Sequence, residues 1–150
     1  MAEGDFAMTM QGTEALQANL RCLGELAPAV IAEGLLEHAN DVMRVSKTEY
    51  VPVDLGTLRH SGTVLPPVIA GDTVEVVLGF GGPAAPYAVA VHENPRSGHT
   101  EGRSPSGRPY KHWARVGGWK YLETPFQQLA PRLVPRVAAV VERWLAGLGR

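Results

Sequence analysis

Glycine and proline are concentrated in the middle of this chain, and their distribution constrains the fold more than any other feature. Residues 51–120 hold 11 of the 17 glycines and 8 of the 12 prolines, whereas the other 80 residues hold 10 of the two types together. Neither residue is favoured inside helices or strands. The sequence therefore predicts a middle rich in turns and loops between two ends in which longer helices can form.

Length and composition limit the class of protein. With 150 residues, of which 45% are hydrophobic, we expect residues 1–150 to form a single domain with its own core. Cys22 is the only cysteine, which excludes an intrachain disulfide and a cysteine-based zinc site. The sequence has no apolar run of membrane-spanning length, and its N-terminus lacks the features of a signal peptide. We therefore expect no membrane association, no metal, no cofactor and an intracellular origin.

The charges are segregated along the chain, although the net charge is only −1. Residues 1–50 carry eight acidic and three basic side chains, and residues 93–120 carry six basic and two acidic ones. Surfaces of opposite charge on one subunit favour head-to-tail contacts between copies of the chain. The alternative interpretation is that solvated loops of this chain happen to be basic.

Hydrophobic periodicity predicts a strand and two helices in residues 1–50. Residues 6–11 alternate apolar and polar side chains, as in a short strand that ends at a glycine. Residues 13–23 have leucines at helical spacing, and Pro28 suits the first turn of a second, longer helix that reaches about Tyr50. We expect Pro52 to stop that helix, because a residue before proline avoids the helical region.

The middle of the chain is predicted to be extended. Apolar side chains at every second position of residues 73–80 indicate a strand, and a turn at residues 70–72 makes residues 61–69 the other arm of a hairpin. Pro66 and Pro67 cannot donate ladder hydrogen bonds, so this arm is either an edge strand or an interrupted one. Residues 87–92 alternate in the same way, which favours a third strand.

The last third of the chain combines a basic stretch with a helix. Residues 93–118 have almost no aliphatic side chains, which predicts a long extended loop. Thr124 and Pro125 suit a helix cap and a first helical turn, and Pro131 and Pro135 predict that the following helix is kinked or split. Its apolar stripe is Phe126, Leu129, Leu133, Val137, Val140, Trp144 and Leu148. Together, these elements predict an α+β fold in which a small antiparallel β-sheet packs against long α-helices.

Few residues are available for an enzymatic site. His92, His99 and His112 lie in or beside the basic stretch together with Glu93 and Glu101, and these side chains are suitable ligands for Zn²⁺ or Mg²⁺. Their spacing, however, does not bring three ligands together on one helix or one tight turn. We therefore expect no catalytic residue, and a histidine-based nuclease is the less favoured alternative.

Aromatic and basic residues alternate near the end of the basic stretch. These residues are Arg108, Tyr110, Lys111, Trp113, Arg115, Trp119, Lys120 and Tyr121. Such a mixture can stack on nucleic acid and neutralise it, or it can form a protein–protein interface. Because the chain as a whole is not basic, we favour contact with protein.

Three segments of the chain, in the same order, resemble the motifs of one family. Residues 50–62 read YVPVDLGTLRHSG and are similar to a P-V-D-T-G-x-L-R-x-S signature. Residues 86–93, PYAVAVHE, resemble Y-A-x-x-V-H-E, and residues 117–125, GGWKYLETP, resemble V-G-x-x-K-F-L-E-x-P. These motifs are typical of the head–tail joining and tail-completion (neck) proteins of tailed phages, also termed minor tail components. The chain departs from them at Leu55, where threonine is common, and in its longer basic stretch.

The resemblance implies a structural protein of the virion that is not an enzyme. Proteins of this family form a closed ring at the head–tail junction, with six subunits on the tail side or twelve on the portal side. The implied partners are other copies of the chain, a head-closure (connector) protein, tail-tube proteins and, through transient non-specific contacts in the lumen, DNA. The implied location is the neck of the virion, after synthesis in the host cytoplasm. The alternative is a minor capsid or decoration protein of the head.

The residues that we expect to contact other subunits or partners come from two regions. In the first motif, Asp54 can accept backbone hydrogen bonds in a turn, and Arg59 can bind Asp54 or a carboxylate of another subunit. The acidic first helices and the basic stretch are the two candidate ring surfaces. The full set of interface candidates is Asp54, Arg59, Arg96, Arg103, Arg108, Tyr110, Lys111, Trp113, Arg115 and Trp119.

Overall fold

Long helices and antiparallel strand pairs make up the chain, which confirms the α+β prediction. The structure, a computed structural model, describes residues 13–71, 73–98, 102–103, 109–110 and 117–148. The strand predicted over residues 6–11 lies outside these residues.

Helix α1 spans Thr13–Val45 and continues into a π-helical turn, Ser46–Tyr50. The prediction of two helices separated near Pro28 is wrong, since Pro28 lies inside α1. A proline has no N–H group to donate to the carbonyl group four positions earlier in a helix. For Pro28 this is the carbonyl group of Gly24, which is exposed, so water can bind it instead. The end of the helix agrees with the prediction: Val51, just before Pro52, has an extended backbone.

A long hairpin follows the short helix α2, Thr57–His60. At its base β1 (Thr63–Val64) pairs with β4 (Leu78–Gly79), and near its turn β2 (Val68–Ala70) pairs with β3 (Thr73–Glu75). Between the two ladders, residues 66–67 lie opposite the single residue 76, which is the arrangement of a β-bulge. The two prolines thus interrupt this arm, as predicted, and the single strand predicted over residues 73–80 is divided into β3 and β4.

The third predicted strand is a helix. Residues Ala88–Glu93 form α3, so the interpretation of residues 87–92 as a strand is wrong. Ala88 and Val91, three positions apart, are buried, whereas Val89 is 72% exposed. A strand would instead have placed Val89 and Val91 on the same face. The segment therefore buries its small apolar residues at helical spacing.

The C-terminal helix is split, as predicted. Helix α4 (Glu123–Leu129) leads through a 3₁₀ turn (Ala130–Arg132) into α5 (Leu133–Leu148). Pro131 lies in the 3₁₀ turn, and Pro135 lies in the first turn of α5, where a proline costs no helical hydrogen bond. The predicted apolar stripe of this helix differs from the structure at Phe126, whose side chain is half exposed.

Helix α5 packs against α1 in the antiparallel direction. Gly34 allows the close approach, because a Cβ atom at this position would lie 2.9 Å from the Cα atom of Val137. Val140 is 2% exposed at the same interface. His38 of α1 is also buried, and its burial and the nearby Arg136 lower its pKa.

A second group of buried residues lies at the C-terminal end of α1, where α2, α3 and the start of α4 meet. Its buried members are apolar or aromatic. They are Val51, Leu58, Ala85, Ala88, Val91 and Tyr121. Part of the chain between α3 and α4 forms a further strand pair, in which β5 (Gly102–Arg103) pairs with β6 (Pro109–Tyr110).

Candidate functional site

The three segments that carry the family-like motifs meet at the end of α1. The backbone N–H of Gly118 donates to the carbonyl oxygen of Tyr50 at 3.0 Å. The backbone N–H of Lys120 donates to the carbonyl oxygen of His92 at 2.8 Å, so the third segment is bonded to both of the others. We call residues 46–62, 85–93 and 117–125 the junction. Segments that are far apart in the sequence thus form one structural unit.

Tyr121 lies at the centre of the junction and is 2% exposed. Its hydroxyl group donates to the carbonyl oxygen of Ala88 at 2.7 Å, and its own carbonyl oxygen accepts the hydroxyl of Ser46 at 2.6 Å. Phe80 and His92 pack edge-on against its ring, with centroid distances of 5.1 and 4.9 Å. Burial raises the pKa of Tyr121 to about 12, so its hydroxyl group stays protonated near neutral pH. Tyr121 therefore joins α3, the end of α1 and the base of the hairpin.

Gly98 and Gly117 lie side by side where the chain leaves the junction and where it returns to it. Gly117 has φ +85°, and a Cβ atom on it would overlap the carbonyl group of Tyr50. Gly98 has φ +81°, and a Cβ atom on it would lie 2.7 Å from the carbonyl oxygen of Gly117. Positive φ and close backbone contact both favour glycine. The ends of the basic stretch are thus held side by side.

The first motif forms a compact turn that places α2. Gly56 has φ +86° and precedes α2, which is the permissive backbone that the motif predicts for this glycine. The hydroxyl group of Ser61 donates to the carbonyl oxygen of Leu58 at 2.7 Å and accepts the backbone N–H of Gly81 at 3.1 Å. These bonds connect the end of α2 to the base of the hairpin. The polar residues of the motif thus support the local fold.

The two interface candidates of the first motif, Asp54 and Arg59, are both partly buried in this turn. The Nε atom of Arg59 is buried and has no hydrogen-bond partner among the described residues. Whether Arg59 acts within the turn or on another subunit stays a prediction.

An exposed polar cluster lies on one side of Tyr121. The Nζ atom of Lys120 bonds Glu93 at 2.8 Å and Glu123 at 2.7 Å. The Nδ1 atom of His92 lies 2.7 Å from Glu93, and its Nε2 atom accepts the backbone N–H of Glu123 at 3.4 Å, so one neutral tautomer satisfies both contacts. The hydrogen bond from Lys120, followed by that from His92, lowers the pKa of Glu93. Glu123, followed by Glu93, raises the pKa of Lys120.

Lys120 adopts a backbone conformation that residues other than glycine rarely adopt. Its φ is +55°, and it is the non-glycine residue with positive φ in the described part of the chain. Such a conformation costs about 1 kcal/mol or more and persists where the surrounding contacts enforce it. Here the Lys120 backbone bonds α3 and its side chain bridges two carboxylates, so it contributes to joining α3 and α4.

Apolar grooves flank this polar cluster. A groove of about 280 Å³ is lined by Leu78, His92, Leu122, Glu123 and Phe126. A neighbouring one of about 250 Å³ lies between Phe80, α3 and Tyr121. Val89 and Phe126, both exposed, border these grooves. The lining is mainly apolar and suits a protein contact better than a small polar substrate.

The structure describes part of the predicted contact surface in the basic stretch. Trp119 is 47% exposed beside the junction, and Arg96 is exposed in the turn after α3. Arg103 and Tyr110 lie in β5 and β6, so the predicted loop contains a short strand pair. The other four candidates lie outside the described residues; they are Arg108, Lys111, Trp113 and Arg115.

The acidic face of α1 forms ion pairs within the subunit. Arg143 of α5 bonds Glu37 at 2.8 Å, and Arg136 pairs with Asp41. Glu33 also lies 3.7 Å from Arg143. Basic residues of the same chain therefore bind three acidic residues of the predicted ring surface. These ion pairs reduce the negative charge that this part of α1 presents to a neighbouring subunit.

In the described part of the chain, the histidine, cysteine and acidic side chains form no cluster of three that could hold a metal ion. His99, Glu101 and His112 lie outside it. Its helices include none that is both long enough and apolar enough to cross a bilayer.

Comparison with known proteins gives no match: no family model, no curated protein and no solved structure is similar to this chain.

Sequence reasoning missed the contacts that hold the junction together. Ser46 lies within the helix predicted to reach about Tyr50, but nothing in the sequence indicates its bond to Tyr121, which spans 75 positions. Lys120, Glu93 and Glu123 all lie within or beside the motifs, yet nothing in their spacing indicates that they meet. Their occurrence in motif segments is the one signal that could have identified them.

Proposed function

We propose that this chain is a structural subunit of the ring at the head–tail junction of a tailed phage, of the neck or tail-completion type, and that it is not an enzyme. The observation that carries the proposal is the set of large apolar side chains that the described residues leave exposed to solvent. A subunit of a closed ring needs two different contact surfaces, and apolar side chains of this kind are what such contacts bury.

The chemistry of that surface supports assembly. Many large hydrophobic side chains of the described residues are exposed, which is unusual for a monomer when they lie close together. They include Leu55, Leu65, Val68, Ile69, Val77, Val89, Trp119, Phe126, Val134 and Leu145. Contacts with other proteins would remove these side chains from water.

The junction supports a structural role for the motif residues. Both ring nitrogens of His92 contact groups of the same chain, and the carboxylates of Glu93 and Glu123 bind Lys120. A general base needs a ring nitrogen or a carboxylate that can reach a substrate. The family-like motifs are thus accounted for by the folding of the subunit.

The basic stretch is the proposed contact with the head-closure protein or the tail tube. Its two ends are fixed at Gly98 and Gly117, so the stretch is attached at a defined point of the subunit. DNA that passes through the lumen would make only non-specific, salt-dependent contacts.

The mass of the purified chain tests the proposed function. Light scattering and electron microscopy are expected to give a closed ring of six or twelve copies. In purified particles, the copy number is expected to be six or twelve. Hundreds of copies would instead indicate a decoration protein of the head, and a monomer at tens of micromolar would overturn the ring.

Deletion of residues 99–116 tests the role of the basic stretch. Because Gly98 and Gly117 are in contact, the chain can be rejoined there without disturbing the junction. The deleted chain is expected to fold and to form the ring, but not to join heads to tails. A control of unchanged length replaces the basic residues of the stretch with serine and is expected to fail in the same way. Infectious particles assembled with the deleted chain would contradict the assignment.

A nuclease assay tests the alternative function. The wild-type chain is expected to leave DNA intact in Mg²⁺ or Zn²⁺. Cleavage by the wild-type chain that is lost in His92→Ala would show that the histidine-based alternative is correct.

A further inference from the structure

An apolar groove lies between α1 and the tip of the hairpin formed by residues 63–79. It has a volume of about 290 Å³. Five residues of α1 line it at positions i, i+3, i+4, i+7 and i+11, so they form one stripe along the helix. We call it the tip groove. Its lining residues are Gly24, Ala27, Pro28, Ile31, Leu35 and, from β3, Val74.

The described residues leave the side chains around the tip groove partly uncovered. Ile31 is 37% exposed. Ile69 of β2 lies directly opposite Val74 of β3, so the two side chains share one face of the hairpin, and Ile69 is 47% exposed. No atom of the described residues outside α1 lies within 4 Å of a Cβ atom built on Gly24. The tip groove therefore has room for a further apolar side chain.

Residues 6–11, which precede α1, have the pattern of a strand with one apolar face. Phe6, Met8 and Met10 alternate with smaller or polar residues, and Gly12 separates this segment from the start of α1. Glycine readily takes the positive φ values of a tight turn, so the chain can reverse at Gly12. A segment that reverses there runs back along α1 with its large side chains on one face.

The length of this segment matches the distance to the tip groove. A helix rises about 1.5 Å per residue, so Gly24 lies about 16 Å and Pro28 about 22 Å from the start of α1. An extended chain rises about 3.3 Å per residue, which puts Met8 about 13 Å and Phe6 about 20 Å back from Gly12. Phe6 thus reaches the tip groove, and Met8 reaches its edge beside Gly24.

We propose that residues 6–11 fold back along α1 of the same chain and bury the side chain of Phe6 in the tip groove. The segment is covalently joined to α1, so its effective concentration at the groove exceeds that of a segment from another molecule. Burial of Phe6 removes apolar surface of Ile31 and Ile69 from water at the same time. This packing lies within one subunit and does not depend on the proposed ring.

One substitution on each face of the segment tests this packing. Phe6→Ser removes the side chain that occupies the groove, and Ala7→Ser, on the opposite face of the strand, is the matched control. In Phe6→Ser, amides of β2 and β3 are expected to exchange at least about tenfold faster than in the wild-type chain, and the midpoint of urea unfolding is expected to fall. Ala7→Ser is expected to leave both quantities unchanged. Wild-type values in Phe6→Ser would overturn the proposal.

Disulfide formation shows which chain supplies the segment. Met8→Cys and Gly24→Cys are introduced together in a Cys22→Ser background, which keeps Phe6 in place and leaves these two thiols as the only ones in the chain. Thr9→Cys with Gly24→Cys is the matched control, because position 9 lies on the other face of the strand. Isotopically labelled and unlabelled chains are refolded together before oxidation, and mass spectrometry identifies the cross-linked peptides.

The cysteines at positions 8 and 24 are expected to oxidise at least about tenfold faster than those at positions 9 and 24, because a disulfide forms only where the two Cβ atoms face each other. Every cross-linked peptide pair is expected to carry a single kind of label. Equal oxidation rates would show that the segment has no defined face towards α1. Pairs that join a labelled to an unlabelled chain would show that a second copy supplies the segment. Either result overturns the proposal and leaves the proposed ring standing.

Discussion

The junction and the hairpin differ in how much of their chemistry is used within the subunit. In the junction, backbone and side-chain groups of three distant segments bond one another around Tyr121, and little of this chemistry is left for a partner. The hairpin of residues 63–79 instead exposes Leu65, Val68, Ile69 and Val77 to solvent. The family-like motifs lie in the first region and not in the second. Recognisable motifs therefore coincide here with the part that folds the subunit, whereas the hairpin leaves apolar side chains available for contact with other proteins.

Tyr121→Ala tests the importance of the junction most severely. Removing a buried aromatic ring costs about 3–5 kcal/mol of unfolding free energy. Val89→Ala is the control in the neighbouring groove, where 72% exposure predicts a change within about 0.5 kcal/mol. Urea unfolding measures both. A loss of less than about 1 kcal/mol for Tyr121→Ala would show that the junction does not depend on its central side chain.

Gly117→Ala tests the close contact between the junction backbones. A Cβ atom there requires a positive φ and overlaps the carbonyl group of Tyr50, so we expect a loss of more than about 3 kcal/mol. Gly82 has nearly the same φ, +84°, but open space around its Cβ position. Gly82→Ala should therefore cost only about 1 kcal/mol. Thermal unfolding gives the comparison, and equal losses in the two variants would contradict the close contact.

The buried hydroxyl group of Tyr121 predicts a loss of stability at alkaline pH. Its pKa is raised to about 12 in the folded chain, whereas the unfolded chain ionises near 10. The protonated hydroxyl group contributes fully to the unfolding free energy below pH 10. This contribution, at most about 2–3 kcal/mol, is lost as the pH rises towards 12. Tyr121→Phe should lose about 1 kcal/mol at neutral pH, from its hydrogen bond, and should show a weaker decline above pH 10. If the unfolding free energies of the wild-type chain and of Tyr121→Phe declined in parallel above pH 10, ionisation of Tyr121 would not be the cause of the decline.

The exposed side chains of the hairpin predict the smallest effect on the stability of the subunit. The double change Val68→Thr and Val77→Thr should alter the unfolding free energy of the subunit by less than about 0.5 kcal/mol, because both side chains are exposed and threonine keeps the β-branched shape. Denaturant titration at a dilution at which the chain is monomeric provides the test. A loss above about 2 kcal/mol would mean that the subunit itself covers these side chains.

The regular elements of the fold were predictable because they have strong local signals. The hairpin, its interruption at Pro66 and Pro67, the stop before Pro52 and the split C-terminal helix all follow from periodicity and proline chemistry. The errors occurred where a signal was ambiguous. Residues 87–92 fit a strand by alternation, but the small side chain of Ala88 allows a helix to pack beneath Tyr121. The sequence around Pro28 likewise does not reveal that the helix continues.

The candidate site was less predictable, because its contacts depend on tertiary structure. Charge counts indicated the acidic start of the chain as a contact surface, but Glu37 and Asp41 face arginines that lie about 100 positions later. The exposure of the hairpin was hidden for the same reason. Alternation located the strands, but only the tertiary structure shows that Leu65, Val68 and Val77 stay exposed.

Hydrogen exchange of the wild-type chain, compared between the assembled state and a dilute monomeric state, tests the contrast between junction and hairpin most directly. The account predicts that amides of the junction, in α3 and residues 117–125, exchange equally slowly in both states. Amides of residues 63–79 should gain protection only in the assembly. Protection gained in the junction, with none in the hairpin, would contradict the account.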